Sequence, residues 1–194
     1  GCRMKKLIKD WWFTLVLICV AFIYFYCFVT AEVDGSSMYP TYHNGDYLLV
    51  YKTSNIKYGD IVAIDSDSLR CILCKRVLGV EGDHILIDSS GFYRNGKLVD
   101  EPYITEKDWF KSYDVDIVVG KNEVFVMGDN RLHSTDSREL GCLSLFAIHG
   151  VSIFNFTRTL GINRYTLIRV TIILWIVCIL FWTFGKIHRR KHEG

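Results

Sequence analysis

The chain has 194 residues, half of them hydrophobic, with 23 Lys and Arg against 21 Asp and Glu and a formal net charge of +2. Eight of the basic residues crowd positions 3–9 and 186–191, which leaves the middle net acidic and excludes a basic nucleic-acid-binding surface. The seven cysteines have no framework spacing, Cys71 and Cys74 form a lone C-x-x-C, and the six histidines are not grouped, so no metal and no cofactor is expected.

Residues 1–10 are basic, and residues 11–30 are apolar and uncharged. About 20 such residues span a bilayer as a helix, and the run exceeds the 7–15 residues typical of a cleaved signal peptide. An uncleaved anchor is therefore predicted, with its basic flank on the cytoplasmic side. Next comes Gly35-Ser36-Ser37-Met38-Tyr39-Pro40-Thr41, a serine-rich turn just beyond the apolar run. A serine hydroxyl needs a base to become a nucleophile, and G-x-S-x-G is absent. A lysine can be that base when it is buried, because desolvation disfavours its charged form.

Residues 42–64 read as two short strands around Tyr47-Leu48-Leu49-Val50-Tyr51 and Ile61-Val62-Ala63-Ile64. The S-x-x-K match at 54–57 lacks companion motifs and reads as chance. Ile72-Leu73-Cys74-Lys75-Arg76-Val77-Leu78 places Lys75 in an apolar strand, with Arg76 on the opposite face. On the residues alone, an ordinary exposed strand lysine is an equally good reading. Residues 89–120 carry the breaks Gly91, Gly96 and Pro102 and an aromatic stretch at Trp109, Phe110 and Tyr113. A strand, Val124-Phe125-Val126-Met127, then enters the polar loop Gly128-Asp129-Asn130-Arg131 and Ser134-Thr135-Asp136-Ser137-Arg138. Residues 142–166 include the sequon Asn155-Phe156-Thr157, relevant only in a eukaryotic secretory pathway. Residues 167–184 form a second apolar run, predicted as a second transmembrane helix when Tyr165 and Thr166 are added, and the basic tail 185–194 is predicted to return to the cytoplasmic side.

Three blocks in this order resemble the type I signal peptidases, membrane-bound serine/lysine endopeptidases of bacteria: 35–41 is similar to G-x-S-M-x-P-T, 75–83 to K-R-V-x-G-x-x-G-D, and 128–138 to G-D-N-x-x-x-S-x-D-S-R. Gly59-Asp60, Asn95-Gly96-Lys97 and Glu101-Pro102-Tyr103 also match. The resemblance implies a mainly β, antiparallel-sheet catalytic domain over 31–166, with 89–120 as a small inserted lobe away from the chemistry. It implies that Ser37 is the nucleophile and Lys75 its base. Ser134 would orient the lysine, Asp136 and Arg138 would pair, and Gly128, Asp129 and Asn130 would support the loop. The Ser37 backbone N–H would be an oxyanion donor, with Gly35 standing where some members carry a serine. Met38 and Pro40 are substrate-pocket candidates. The implied reaction is removal of N-terminal signal peptides from secretory preproteins that have small residues one and three positions before the cut. The implied setting is the bacterial cytoplasmic membrane, multi-pass, with the catalytic domain outside, the lipid bilayer as a partner and the secretion translocon as a further candidate. Two rivals are a soluble self-cleaving repressor-type peptidase, disfavoured by the apolar runs, and a non-catalytic assembly factor, disfavoured by the presence of both Ser37 and Lys75.

Overall fold

The computed structural model describes the backbone of residues 2–66 and 71–192, and the side chains of these except at 2–11, 13, 65–66, 71–73, 164 and 180–192. In chain order the elements are α1 (Cys2–Cys27), β1 (Phe28–Glu32), β2 (Tyr47–Tyr51), β3 (Ile61–Ser66), β4 (Cys71–Val80), β5 (His84–Asp88), β6 (Gly91–Arg94) and β7 (Lys97–Leu98). A 3-10 turn (Trp109–Ser112) precedes β8 (Val115–Val118), β9 (Glu123–Met127), α2 (Ser137–Leu140) and β10 (Leu143–Ser144). After a second 3-10 turn (Leu145–Ala147) come β11 (Ile148–Asn155), α3 (Phe156–Leu160) and α4 (Arg164–His192).

The fold is mainly β and antiparallel, as the sequence implied. A seven-stranded sheet runs β1-β2-β11-β3-β4-β9-β10, and a four-stranded sheet runs β7-β6-β5-β8. The strands follow from two-residue periodicity: Leu48 and Val50 of β2, and Ile85 and Ile87 of β5, are buried and their neighbours are not. Strands β4 and β9 form a wall between two cores. Leu78, Phe125 and Met127 face one core with Ile85, Ile87, Phe92 and Trp109, while Val77, Val124 and Val126 face the other with Val62 and Ile64. Both faces of this wall are packed, so the side chains it carries have little room to move.

Two boundaries differ from those read in the sequence. Helix α1 ends at Cys27, and Phe28–Glu32 is strand β1, paired in register with β2. Hydropathy does not change there. The stop comes from Lys52, whose backbone N–H donates to Cys27 O at 2.8 Å and whose Nζ donates to Phe25 O at 3.0 Å. A cation at the last turn satisfies carbonyls the helix leaves open. The smaller sheet begins at His84, before the predicted lobe at 89, because β5 pairs with both β6 and β8.

Among the described residues, no helix is long and apolar enough to cross a membrane. The described side chains of α1 are Trp12 and 14–27, and those of α4 are 165–179, so parts of both predicted spans, residues 11, 13 and 180–184, lie outside them. Asn155 of the sequon is buried. It accepts from Arg158 N at the start of α3 and donates to Asp46 Oδ2 at 2.8 Å, which is a structural role.

Candidate active site

The site forms where the β1–β2 loop meets the loop after β9. Gly35 takes a left-handed φ of +87° and its N–H donates to Asn44 Oδ1, which turns the chain back. Tyr39 N donates to Ser36 O at 3.0 Å and Tyr42 N to Met38 O at 2.9 Å, so residues 36–42 are a tight turn. Met38 is fully buried beneath that turn, whereas Ser37 is half-buried at its surface. The Ser37 carbonyl accepts from Asn130 N at 3.0 Å, and the Ser36 carbonyl accepts from Asn130 Nδ2 at 3.1 Å. Asn130 thus stitches the serine turn to the second loop.

Gly128 is needed for that approach. A Cβ placed there would lie 2.4 Å from Ser37 O and 2.3 Å from Ser134 Oγ. The need is for space, since Gly128 is not among the positive-φ residues. This close contact brings the Ser37 backbone and the Ser134 hydroxyl against one residue.

Lys75 lies in β4 opposite Val62 and is only 2% exposed. Its Nζ donates to Ser134 Oγ at 3.0 Å. Ser134 Oγ in turn donates to Asp136 Oδ2 at 2.7 Å. Because the Ser134 hydroxyl donates its hydrogen to Asp136, the oxygen of Ser134 is left as an acceptor for the amine. Asp136 is fully buried and held from several sides: Gly128 N at 2.9 Å, and Arg138 Nε and Nη2 at 2.8 Å each. The expected Asp136–Arg138 pair is therefore present, with both side chains removed from solvent.

Asp129 makes a second anchor. It accepts from Arg76 Nε at 2.8 Å and Nη2 at 2.6 Å, and from Thr41 Oγ1. Arg76 also donates to Gly59 O at 3.2 Å. One carboxylate therefore ties the serine block, the lysine strand and the third block together. Burial pushes the Arg76 guanidinium down, but the hydrogen bond and charge of Asp129 override it and hold it above its ordinary value.

A third anchor was missed in the sequence. Arg131, fully buried, is clamped bidentately by Glu101. Its Nε donates to Gly128 O at 3.0 Å, and Tyr103 Oη donates to Glu101 at 2.7 Å. Burial first, and then the Glu101 carboxylate, push the Tyr103 hydroxyl strongly up, so it stays a donor. The only signal was the Glu101-Pro102-Tyr103 match, which carried no role. The inserted segment is thus not remote: it supplies one wall of the loop that holds Ser134.

A groove of about 260 Å³ lies against β1, β2 and Cys74, the strand neighbour of Lys75; Ser37, Lys75 and Ser134 are not among its lining residues. Val29, Ala31, Val33, Leu48, Val50, Ala63 and Cys74 line it, with Thr30, Glu32, Asp34, His149 and Ser152. Neither Met38 nor Pro40 is among its lining residues, nor is Gly35. Burial pushes the Cys74 thiol up to about 12, so it acts as a small, protonated wall group beside Lys75. One side of the groove is β1, the edge strand of its sheet. Among the described residues no group of His, Cys, Asp and Glu is arranged to hold a metal.

The family model for signal peptidase, peptidase S26, matches residues 4–157, which include every residue described above. The chain belongs to the signal peptidase S26 family. A signal peptidase I of Bacillus amyloliquefaciens is 38% identical, with the match covering 75% of this chain and 83% of that protein. Signal peptidase I S of Bacillus subtilis is also 38% identical, covering 78% and 90%. A solved signal peptidase I of Enterococcus faecalis aligns with a TM-score of 0.43 at 26% identity, covering 50% of this chain and 96% of that one.

Proposed function

We propose that this chain removes N-terminal signal peptides from secreted preproteins, with Ser37 as nucleophile and Lys75 as general base. The observation that carries the reading is the buried relay from Lys75 through Ser134 to Asp136. Burial penalises a charged ammonium, which favours a neutral amine. One N–H of that amine is spent on Ser134, which restricts the directions open to the nitrogen lone pair. In the acylation step the lone pair takes the Ser37 proton, and Oγ attacks the scissile carbonyl. The N–H of Ser37 is the proposed donor to the oxyanion. The lysine ammonium then returns the proton to the leaving amine, and the acyl–Ser37 ester forms. Water, deprotonated by the same amine, hydrolyses the ester and restores Ser37.

The substrate chain would lie along the free edge of β1, main chain to main chain, with small side chains in the groove beside Cys74. Val33, Leu48 and Ala63 are among the apolar walls of this groove, which would favour small apolar groups such as alanine. Helix α1 would act as a membrane anchor and α4 as a second one, in the bacterial cytoplasmic membrane with the catalytic domain outside. The support is exposed apolar surface: Leu15, Ile18, Phe22 and Phe25 on α1, and Ile172, Trp175 and Ile179 on α4, are all solvent-facing outside a bilayer. Enzyme and signal peptide in one bilayer meet at a raised effective concentration, and the secretion translocon would be the neighbouring source of substrate.

Cleavage of a preprotein with an Ala-x-Ala site, in detergent, tests the chemistry. The parent cuts; Ser37→Ala and Lys75→Ala do not. Cleavage surviving either substitution would sink the assignment.

A further inference from the structure

Three arginines surround the loop that carries Ser134, and each has the same two kinds of neighbour. One is a carboxylate; the other is an aromatic ring from the segment 101–113. Arg76 has Asp129 and lies 4.0 Å from the Tyr103 ring centroid. Arg131 has Glu101 and lies 4.5 Å from Trp109. Arg138 has Asp136 and lies 4.3 Å from Tyr113, with Trp109 at 5.4 Å.

Arg138 matters most, because its carboxylate partner, Asp136, is the one that accepts the Ser134 hydroxyl hydrogen bond. Its side chain has no solvent exposure, and Nη1 is buried without a hydrogen-bond partner among the described residues. A buried guanidinium with an unmatched N–H is costly, and an electron-rich ring face offsets part of that cost. Tyr113 closes off the 3-10 turn Trp109–Ser112, its N–H donating to Phe110 O, so the ring comes from a folded segment. We propose that Tyr113 is a positioning residue for Lys75, acting through Arg138, Asp136 and Ser134. The proposal rests on the reading of Lys75 as the base.

The consequence has a sign. If the ring is lost, Arg138 is held less firmly on Asp136. The carboxylate is then less compensated, its charge reaches Lys75 through Ser134, and the ammonium form is favoured. More alkaline conditions are then needed to reach the neutral amine.

The test is preprotein cleavage by the detergent-solubilised full chain, comparing parent, Tyr113→Phe, Tyr113→Leu and Lys75→Ala, with kcat and KM measured across pH. Thermal melts confirm folding, and Tyr113→Met replaces Tyr113→Leu if that variant does not fold. Tyr113→Phe keeps the ring and stays near parental activity. Tyr113→Leu loses about three- to tenfold in kcat, keeps its KM, and moves the acid limb of the kcat/KM profile to higher pH. Equal behaviour of the Phe and Leu variants, or a change confined to KM, overturns the proposal. Lys75→Ala separates the two levels: its retained activity defeats the base assignment itself, whereas its inactivity with identical Phe and Leu variants defeats only Tyr113.

Discussion

Gly128→Ala is the most economical perturbation of the site. The new methyl group would sit 2.3 Å from Ser134 Oγ, 2.6 Å from Ser134 Cβ and 2.4 Å from Ser37 O. Ordinary contact begins near 3.4 Å, so the serine turn and the Ser134 loop must separate by about 1 Å. Neither side yields easily. Ser37 O is backbone, fixed by Asn130 N, and Ser134 is held by both Lys75 and Asp136. A displacement of 1 Å between reacting groups costs about 10²-fold in rate, and overpacking costs about 1–3 kcal/mol in stability. The expected result is a kcat about 100-fold below the parent in single-turnover cleavage of a preprotein, with a lowered but cooperative melt. Because the groove residues are untouched, KM changes little. A variant within threefold of the parent in kcat would refute the claim that close approach at Gly128 sets the geometry of the pair.

Two further outcomes follow from the buried charges. Glu101→Gln leaves the Arg131 guanidinium buried with no counter-charge, and the expected loss in unfolding free energy is about 3–5 kcal/mol; adding Arg131→Met recovers much of it. Denaturant titration checks this, and a single variant as stable as the parent refutes it. Asp83 titrates below its ordinary value: burial pushes it up, but Val80 N–H, the Asn95 amide and Arg94 together pull it further down. A depressed carboxylate stabilises the fold above its unfolded pKa, and that contribution disappears as pH falls through the folded value. Asp83→Asn is therefore less stable than the parent at pH 7, and the gap narrows below about pH 4. A gap that stays constant between pH 7 and pH 3 contradicts the assignment.

Much of the candidate site was legible because its residues are written in short blocks. The turn that presents Ser37 and the Asp136–Arg138 clamp are local, and local geometry leaves local residue patterns. On the residues alone Lys75 read as a lysine in an apolar strand, and only the 75–83 block singled it out; its burial depends on β3 and β9 packing on either side. The Glu101–Arg131 pair joins positions thirty residues apart and has no periodicity to reveal it. The end of α1 was also hidden, because Phe28-Val29-Thr30 is as apolar as the helix before it, and a lysine twenty-five residues beyond Cys27 defines the stop.

The buried polar contacts of the site share a physical reason. A lysine with the role proposed for Lys75 must be kept from water, yet an apolar pocket alone would leave its amine free to turn. The fold answers with a relay in which each partner is held by another: Ser134 by Asp136, Asp136 by Arg138 and Gly128 N. Buried charges are a costly way to gain stability, and well-packed apolar residues commonly do as well or better. What they supply here is direction. A carboxylate accepts along fixed lines and a guanidinium donates along fixed lines, so the orientation of one amine is set by atoms well behind it. The aromatic segment 101–113 completes this arrangement by covering the arginines from the far side. A segment that read as a remote insertion therefore packs on the arginines behind Ser134 and, under the proposed chemistry, bears on the proton that Lys75 would move.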